Sequence, residues 1–401
     1  MLYTAPTTLD AFVYRVHKQI FENARGDTLL IAFVRSYLSD YDSRIRKFFR
    51  CAELVNEEFM FIGWARAGAD YEPAPYKVIY RSGTRIGARW GNFIGFLRWQ
   101  RYLLATLYKH REKIAAVHCA DLDTALVGYL FCWLFRKKFI FDIYDQYSSS
   151  RGVSGYASRI MNCMESYLAR EAHLCIIAAE ERVEQHRLQK GANAPLILEN
   201  VPLEDLGAEE IPEYSGTLHI GYFGVLERRH RGIEDLVAFA SSRADIHLHI
   251  AGYGAREQEV RLAASRSGNI TYYGPMQWAE GVALMRQVHV IGGFYYLSNP
   301  NHAYAAPNKY YEHLMLGRGL LTTRGTPPGQ RVERHGSGWA IEEGLDPLNR
   351  WIAELHLSDM RRAGMNARAL WETRYRDYFQ EHYVGRYGRH ISQYSRSLEN
   401  A

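Results

Sequence analysis

The chain reads as an α/β protein built from two doubly wound domains that face a cleft, each a parallel sheet with helices on both faces. Three observations predict this. Short apolar runs alternate with helical periodicity from residue 29 onward, the order that builds βαβ units. An acidic, proline-containing stretch at 199–216 interrupts the alternation, which then restarts with a new strand. The length of 401 residues is too great for one compact domain and comfortable for two.

In the first half, residues 1–27 form a polar and aromatic lead with one helix expected at 9–23. Residues 29–34 (LLIAFV) have the continuous apolar pattern of a buried strand, and a polar loop leads from them to a helix at 44–55. Strands follow at 59–63 and 77–80, then a long helix at 92–113. A strand at 115–118 opens into a loop holding Asp121 and Asp123, followed by a helix at 124–135. The strand at 139–145 ends in two acids, Asp142 and Asp145. A helix at 156–170, a strand at 174–178, a helix at 179–189 and a short strand at 195–198 complete this half.

After the linker candidate, residues 218–224 (LHIGYFG) are a strand running into a glycine turn, followed by a basic loop, 228–232, and a helix at 233–240. Strands at 246–252, 270–274 and 289–293 alternate with helices at 256–266 and 278–286. Pro307 pre-sets the first turn of a helix that ends at Gly317 and Gly319, before a strand at 320–323. The tail from residue 347 is helical, basic and aromatic.

Composition narrows the function classes. Hydrophobic residues at 47% and charged residues at 23% are ordinary for a globular protein. A formal charge of +5 is far from a nucleic-acid-binding extreme. Five cysteines without a CxxC argue for a reducing cytosol. The first residues mix charge with apolar side chains and show no secretory signal, and the longest apolar run, 125–135, is too short to span a bilayer. One region is uneven: Arg81, Arg85, Arg89, Arg98, Arg101, Lys109, Arg111 and Lys113 crowd together with Trp90, Phe93, Phe96, Trp99 and Tyr102 among them. It reads either as a membrane-surface segment or as a packing helix with a solvated basic face.

The chemistry concentrates at predicted strand ends. Lys309 and Glu312 lie three apart on one helix face, beside the backbone N–H groups of that helix's start. This suits a ligand carrying both hydroxyls and phosphates, the carboxylate taking a ribose diol. Gly221, Gly224 and the Arg229–Gly232 loop offer a close backbone approach and a guanidinium fork for phosphate, against the alternative of a tight turn with a solvated loop. In the first half Asp142 and Asp145, with Asp121 and Asp123 on the preceding loop, could include a general base for a hydroxyl acceptor; Asp145 is the first choice. Each acid could equally cap a loop. No set of His, Cys and acids has metal-ligand spacing, so no metal site is expected.

These residues together resemble the GT-B-fold glycosyltransferases, most closely the bacterial family-4 type that builds polysaccharides. The likeness is carried by Ile220-Gly221-Tyr222-Phe223-Gly224, Arg231-Gly232, Ala251-Gly252-Tyr253-Gly254, Tyr273-Gly274 and Pro307-Asn308-Lys309-Tyr310-Tyr311-Glu312, in family order. In the first half it rests on 42–46 (DSRIR), 117–124 (VHCADLDT) and 141–145 (FDIYD). Three positions depart: Tyr304 stands where the family has the first glutamate of a pair, Val225 where an arginine often follows the glycine turn, and Ala120 where a second histidine is usual.

The resemblance implies a Rossmann-like acceptor-binding domain over 1–202, a Rossmann-like nucleotide-sugar domain over 203–375, and a C-terminal helix, 376–401, crossing back to the first domain. It implies that Glu312 holds the donor ribose, that Arg231 and Lys309 meet its phosphates, and that Gly274 and Met276 lie near the base; Gly224 and Asn308 complete the expected donor-binding set. His118 and Asp121 would meet the acceptor. The expected activity is metal-independent transfer of a sugar from a nucleotide diphosphate-sugar, a UDP-sugar before a GDP-sugar, to a hydroxyl of a glycan or polyprenyl-linked glycan. No other cofactor is expected. The implied setting is bacterial polysaccharide assembly, cytoplasmic or peripheral on the inner face of the plasma membrane, with a possible partner in the anionic membrane surface. A GT-B-like sugar-nucleotide epimerase and a catalytically degenerate scaffold stay open as alternatives.

Overall fold

A computed structural model describes residues 29–83, 89–188 and 194–399; the helix expected at 9–23 lies outside them. The chain divides into two units, Met1–Leu198 with Gln380–Ala401, and Glu199–Phe379.

The first unit is a seven-stranded parallel sheet in the order β3-β2-β1-β4-β5-β6-β7. Its strands are β1 (Leu30–Arg35), β2 (Glu58–Ala65), β3 (Lys77–Arg81), β4 (Ile114–Ala120), β5 (Lys138–Ile143), β6 (Leu174–Ile177) and β7 (Leu196–Ile197). Strands β1 and β4 have almost no exposed side chain, which is why they read as continuous apolar runs. Helix α1 (Ser43–Leu54) is started by Asp42, whose carboxylate accepts from the amides of Arg44 and Ile45. Helices α2 (Arg89–Lys109) and α3 (Leu122–Phe135) cross from β3 to β4 and from β4 to β5. They bury Trp99, Leu103, Leu107, Leu122, Ala125 and Phe131 in one core with β1, β2 and β4. Next come α4 (Tyr147–Ser150), α5 (Gly155–Glu171) and α6 (Arg182–Gln185); the last is far shorter than the helix expected there.

The second unit is a six-stranded parallel sheet, β10-β9-β8-β11-β12-β13. It comprises β8 (Leu218–Phe223), β9 (Ile246–Ala251), β10 (Ile270–Tyr272), β11 (Val290–Gly293), β12 (Gly319–Thr323) and β13 (Gly338–Ile341), with α7 (Ile233–Ser241), α8 (Glu257–Arg266), α9 (Trp278–Arg286), α10 (Asn308–Leu316) and α11 (Pro327–His335) between them. The sequence reading missed α11 and β13; a four-residue strand opening on glycine carries too little period to be seen. The tail is α12 (Leu345–Glu354) and α13 (Leu357–Leu370), then π-helical turns at Trp371–Tyr375 and Phe379–Gly388, then α14 (Arg389–Glu399). Tyr383 and Tyr387 pack on Phe48 of α1, so this segment belongs to the first unit.

Residues 199–217, read from sequence as a linker, form no helix or strand but are fastened to the second unit. Arg318, fully buried, donates to the carbonyls of Glu209, Glu210 and Val288. Asp205 pairs with Arg368 and accepts from the Trp371 indole. Burial holds the Arg318 pKa down at about 10, with no carboxylate among these hydrogen-bond acceptors.

Four histidines line one side of β8 and β9 and their neighbours. His219 and His249 share a 2.7 Å hydrogen bond, His247 stacks on His249, and the His219 amide donates to His289. Burial lowers the pKa of all four, that of His249 to about 4. The fold therefore favours their neutral forms. Stability from this cluster is present above the unfolded value of about 6.5 and is lost as pH falls from there toward 4. Urea midpoints are expected to drop between pH 7 and pH 5, and less so in His249→Gln; equal slopes for the two proteins would exclude the cluster.

Candidate functional site

In each sheet the direction of the crossovers reverses between two neighbouring strands, β1 and β4 in the first, β8 and β11 in the second. Crevices for ligands open at the carboxyl ends of such strands.

In the second unit, β8 delivers Phe223 and Gly224 to this end and α10 delivers Lys309 and Glu312. The Lys309 ammonium donates to the Phe223 carbonyl and sits 4.4 Å from the centre of the Tyr222 ring. Its stem passes over Gly293, where a Cβ would stand 2.6 Å from Lys309 Cδ. Burial lowers the Lys309 pKa to about 8; Glu312 opposes the shift and Arg231 adds to it. Glu312 is 9% exposed, and its Oε1 accepts from the Trp278 indole at 2.9 Å. Arg231 forks onto Glu227 at 2.8 and 3.1 Å and lies over the Tyr295 ring. Burial works against its charge, but Tyr295 and Glu227 outweigh it and hold its pKa above the ordinary value. Lys309, Glu312 and Arg231 are thus electrostatically coupled, as one site requires.

Other residues of this half have more specific places. Asn308 is half-buried at the first position of α10, whose N-cap, Pro307, offers no side-chain cap. Met276 is half-exposed, two residues before Trp278, so the turn from Gly274 leads into the indole that meets Glu312. The carbonyl of Gly274 accepts from Gly252. Gly224 corrects its expected role: its amide, expected at a phosphate, donates to the Ala251 carbonyl at 3.1 Å. What its neighbourhood requires is close approach. A Cβ on Gly252, at φ +139°, would overlap the Gly224 carbonyl oxygen. Gly252→Ala must therefore part the ends of β8 and β9, and an expected loss of about 1–3 kcal/mol of stability should appear in denaturant titration. An unchanged midpoint would show that the two loops can separate freely.

In the first unit, Arg35 at the end of β1 donates to Asp42 at 2.9 Å and to Asp121, and its guanidinium lies 4.1 Å from the Tyr144 ring centre. Asp121 joins β4 to α3 at φ 63°, ψ 166°, a conformation nearly confined to glycine. Its carboxylate also accepts from the Tyr144 amide. Burial pushes its pKa up to about 6, against Arg35 and with help from Asp123. Asp123 is buried, accepting from Ser36 and Arg151.

Two expected site residues prove to be interior. Asp142 has no exposed surface; Arg44 grips it through Nε and Nη2 at 2.7–3.2 Å. Burial would raise its pKa, but Arg44 and His118 outweigh it and hold the carboxyl below the usual range. His118 is equally enclosed, bonded through Nδ1 to the Tyr387 hydroxyl, and burial lowers its pKa. A strand side chain facing the helix layer cannot meet an acceptor, so catalysis by Asp142 and acceptor binding by His118 are corrected to structural roles. Asp145, beyond the strand, is half-exposed and paired with Arg182 at 2.6 Å. Trp278, Tyr295 and Arg35 were not singled out from sequence; only their position after a strand or before a helix signals them. Among the described residues no group of three His, Cys, Asp or Glu could hold a metal ion.

Solved structures share this architecture. Sucrose-phosphate synthase from Thermosynechococcus elongatus matches with a TM-score of 0.65 at 12% identity, covering 93% of this chain and 99% of that one. Anabaena HepE, in complex with UDP and glucose, matches with a TM-score of 0.66 at 12% identity over 91% of this chain and 99% of its own. WaaG, a glycosyltransferase involved in lipopolysaccharide biosynthesis, gives 0.59 at 13% identity over 88% of this chain and 98% of its own. The chain has the GT-B fold of these proteins. No family model matches it, and no curated protein matches it by sequence.

Proposed function

We propose that this GT-B chain is a glycosyltransferase that moves a sugar from a nucleotide diphosphate-sugar to a hydroxyl of a glycan or polyprenyl-linked glycan, in polysaccharide assembly on the cytoplasmic side of a membrane. The observation that carries the proposal is the coupled set Lys309, Glu312 and Arg231 at the switch point of the second sheet. A carboxylate has acceptor positions beyond the one that Trp278 occupies, which suits a ribose diol. Lys309 and Arg231 supply positive charge where a diphosphate would leave, and the start of α10 adds its helix dipole. Met276 and the turn after β10 would border the base. HepE is described with UDP and with UDP-glucose, which favours a uridine donor here. Charge stabilisation by protein cations makes metal-independent transfer the simplest chemistry.

On the acceptor side the reading drops Asp142 and moves the first choice from Asp145 to Asp121. Strained backbone, a raised pKa and a place at the switch point are the features of a working carboxylate. Asp145 stays in the proposal as a second acid near the same strand ends.

Calorimetry with UDP and GDP, together with product assays on a UDP-sugar panel, tests this. Glu312→Ala is expected to weaken UDP binding by more than about 1.4 kcal/mol, tenfold. Asp121→Asn is expected to remove transfer while UDP affinity stays unchanged. If neither nucleotide binds the wild type, the donor reading fails; normal turnover in Asp121→Asn would remove that residue as the base.

A further inference from the structure

The basic and aromatic stretch noted in the sequence is absorbed only in part by the proposed function. Some of its aromatics turn inward: Trp99 is fully buried against Trp64, and Phe96 and Tyr102 are partly buried against the same core. A different set faces out. On α2, Phe93, Ile94, Leu97, Leu104 and Tyr108 are exposed, Phe93 by 57%. Helix α3 packs beside α2 on the same face of the sheet. The exposed residues of α3 are Leu126, Leu130, Trp133 and Leu134, with Trp133 exposed by 68%. Its one charged side chain, Asp123, is buried. A helix apolar on every side normally lies in a core or in lipid, and soluble monomers avoid large contiguous apolar patches.

We propose that the outward face of α2 and α3 docks on an anionic lipid bilayer. Charge selects this occupant. Arg98 and Arg101 are exposed on α2, Lys109 ends it, and Arg136 and Lys137 follow α3. From residue 93 to 138 the acids are Glu112, Asp121 and Asp123. Glu112 pairs with Arg111 and lies near Lys137, Asp121 pairs with Arg35, Asp123 is buried, and Glu171 of α5 meets the Tyr129 hydroxyl, so the cations of this face outnumber its acids. A second copy of the chain would bring like charges together, whereas anionic headgroups neutralise them while Trp133 and the leucines enter the acyl boundary. No helix among the described residues is long and apolar enough to cross a membrane, so the contact is interfacial. The inference deepens the proposed function, and rests on it only for its purpose: bringing the enzyme to a lipid-carried acceptor.

Sedimentation with vesicles of phosphatidylcholine plus phosphatidylglycerol, and of phosphatidylcholine alone, tests it on the full chain. The wild type is expected to pellet with the anionic vesicles, less so as salt rises. Leu130→Glu with Trp133→Glu, and separately Arg98→Glu with Arg101→Glu, should each lower partition at least about tenfold. All these side chains are exposed, and circular dichroism checks that the variants fold. No binding by the wild type, equal binding to both vesicles, or full binding by both variants overturns the proposal. So does a dimer in light scattering that Leu130→Glu with Trp133→Glu dissolves, because the face would then belong to a second copy. UDP calorimetry on the same samples reads the donor site alone, so either reading can fail without the other.

Discussion

Lys309→Met is expected to lower transfer by about two to three orders of magnitude, the usual cost of losing one preorganised charge-stabilising group. Methionine keeps the stem that passes over Gly293 and removes the ammonium. In the free protein that ammonium donates to the Phe223 carbonyl, beside the Tyr222 ring. Its pKa of about 8 makes a second expectation. Only protonated Lys309 attracts a diphosphate, so UDP affinity should be full below about pH 8 and fall above it in the wild type. Lys309→Met should show a weaker affinity without that fall. Calorimetry across the range decides, and a wild-type affinity flat up to pH 9 would separate Lys309 from the phosphates.

Asp142→Asn is expected to cost about 3–5 kcal/mol of stability, the order lost when one partner of a buried ion pair is removed. Arg44 would keep its contact with the Leu198 carbonyl but lose its carboxylate, and His118 would lose the anion 3.7 Å away. Denaturant titration measures the loss. The same variant separates structure from chemistry: whatever fraction remains folded should turn over normally. A stable but inactive Asp142→Asn would restore Asp142 to the reaction.

The fold was largely legible because βαβ order is local. Each of β1, β2, β4 and β5 announces itself by an apolar run, and each helix by its own period. That Lys309 and Glu312 come together was legible for the same reason: they share one helix, whose lysine reaches the end of β8. What sequence could not show was which acids stay accessible. Asp142 and Asp145 look alike in FDIYD, yet one is enclosed and the other half-exposed. Asp142 lies within β5 and is enclosed together with Arg44, 98 residues away, whereas Asp145 lies beyond the strand's end.

From the sequence alone came the two parallel α/β units and the helix start that gathers Lys309 and Glu312, since burial period and turn residues are written in neighbouring positions. The tertiary structure alone decided that Asp142 and His118 are interior, that Trp278 meets Glu312, that Asp121 is strained, and that the exposed residues of α3 are all apolar. Each of these depends on partners brought together across the chain, and on which face of an element the packing leaves uncovered.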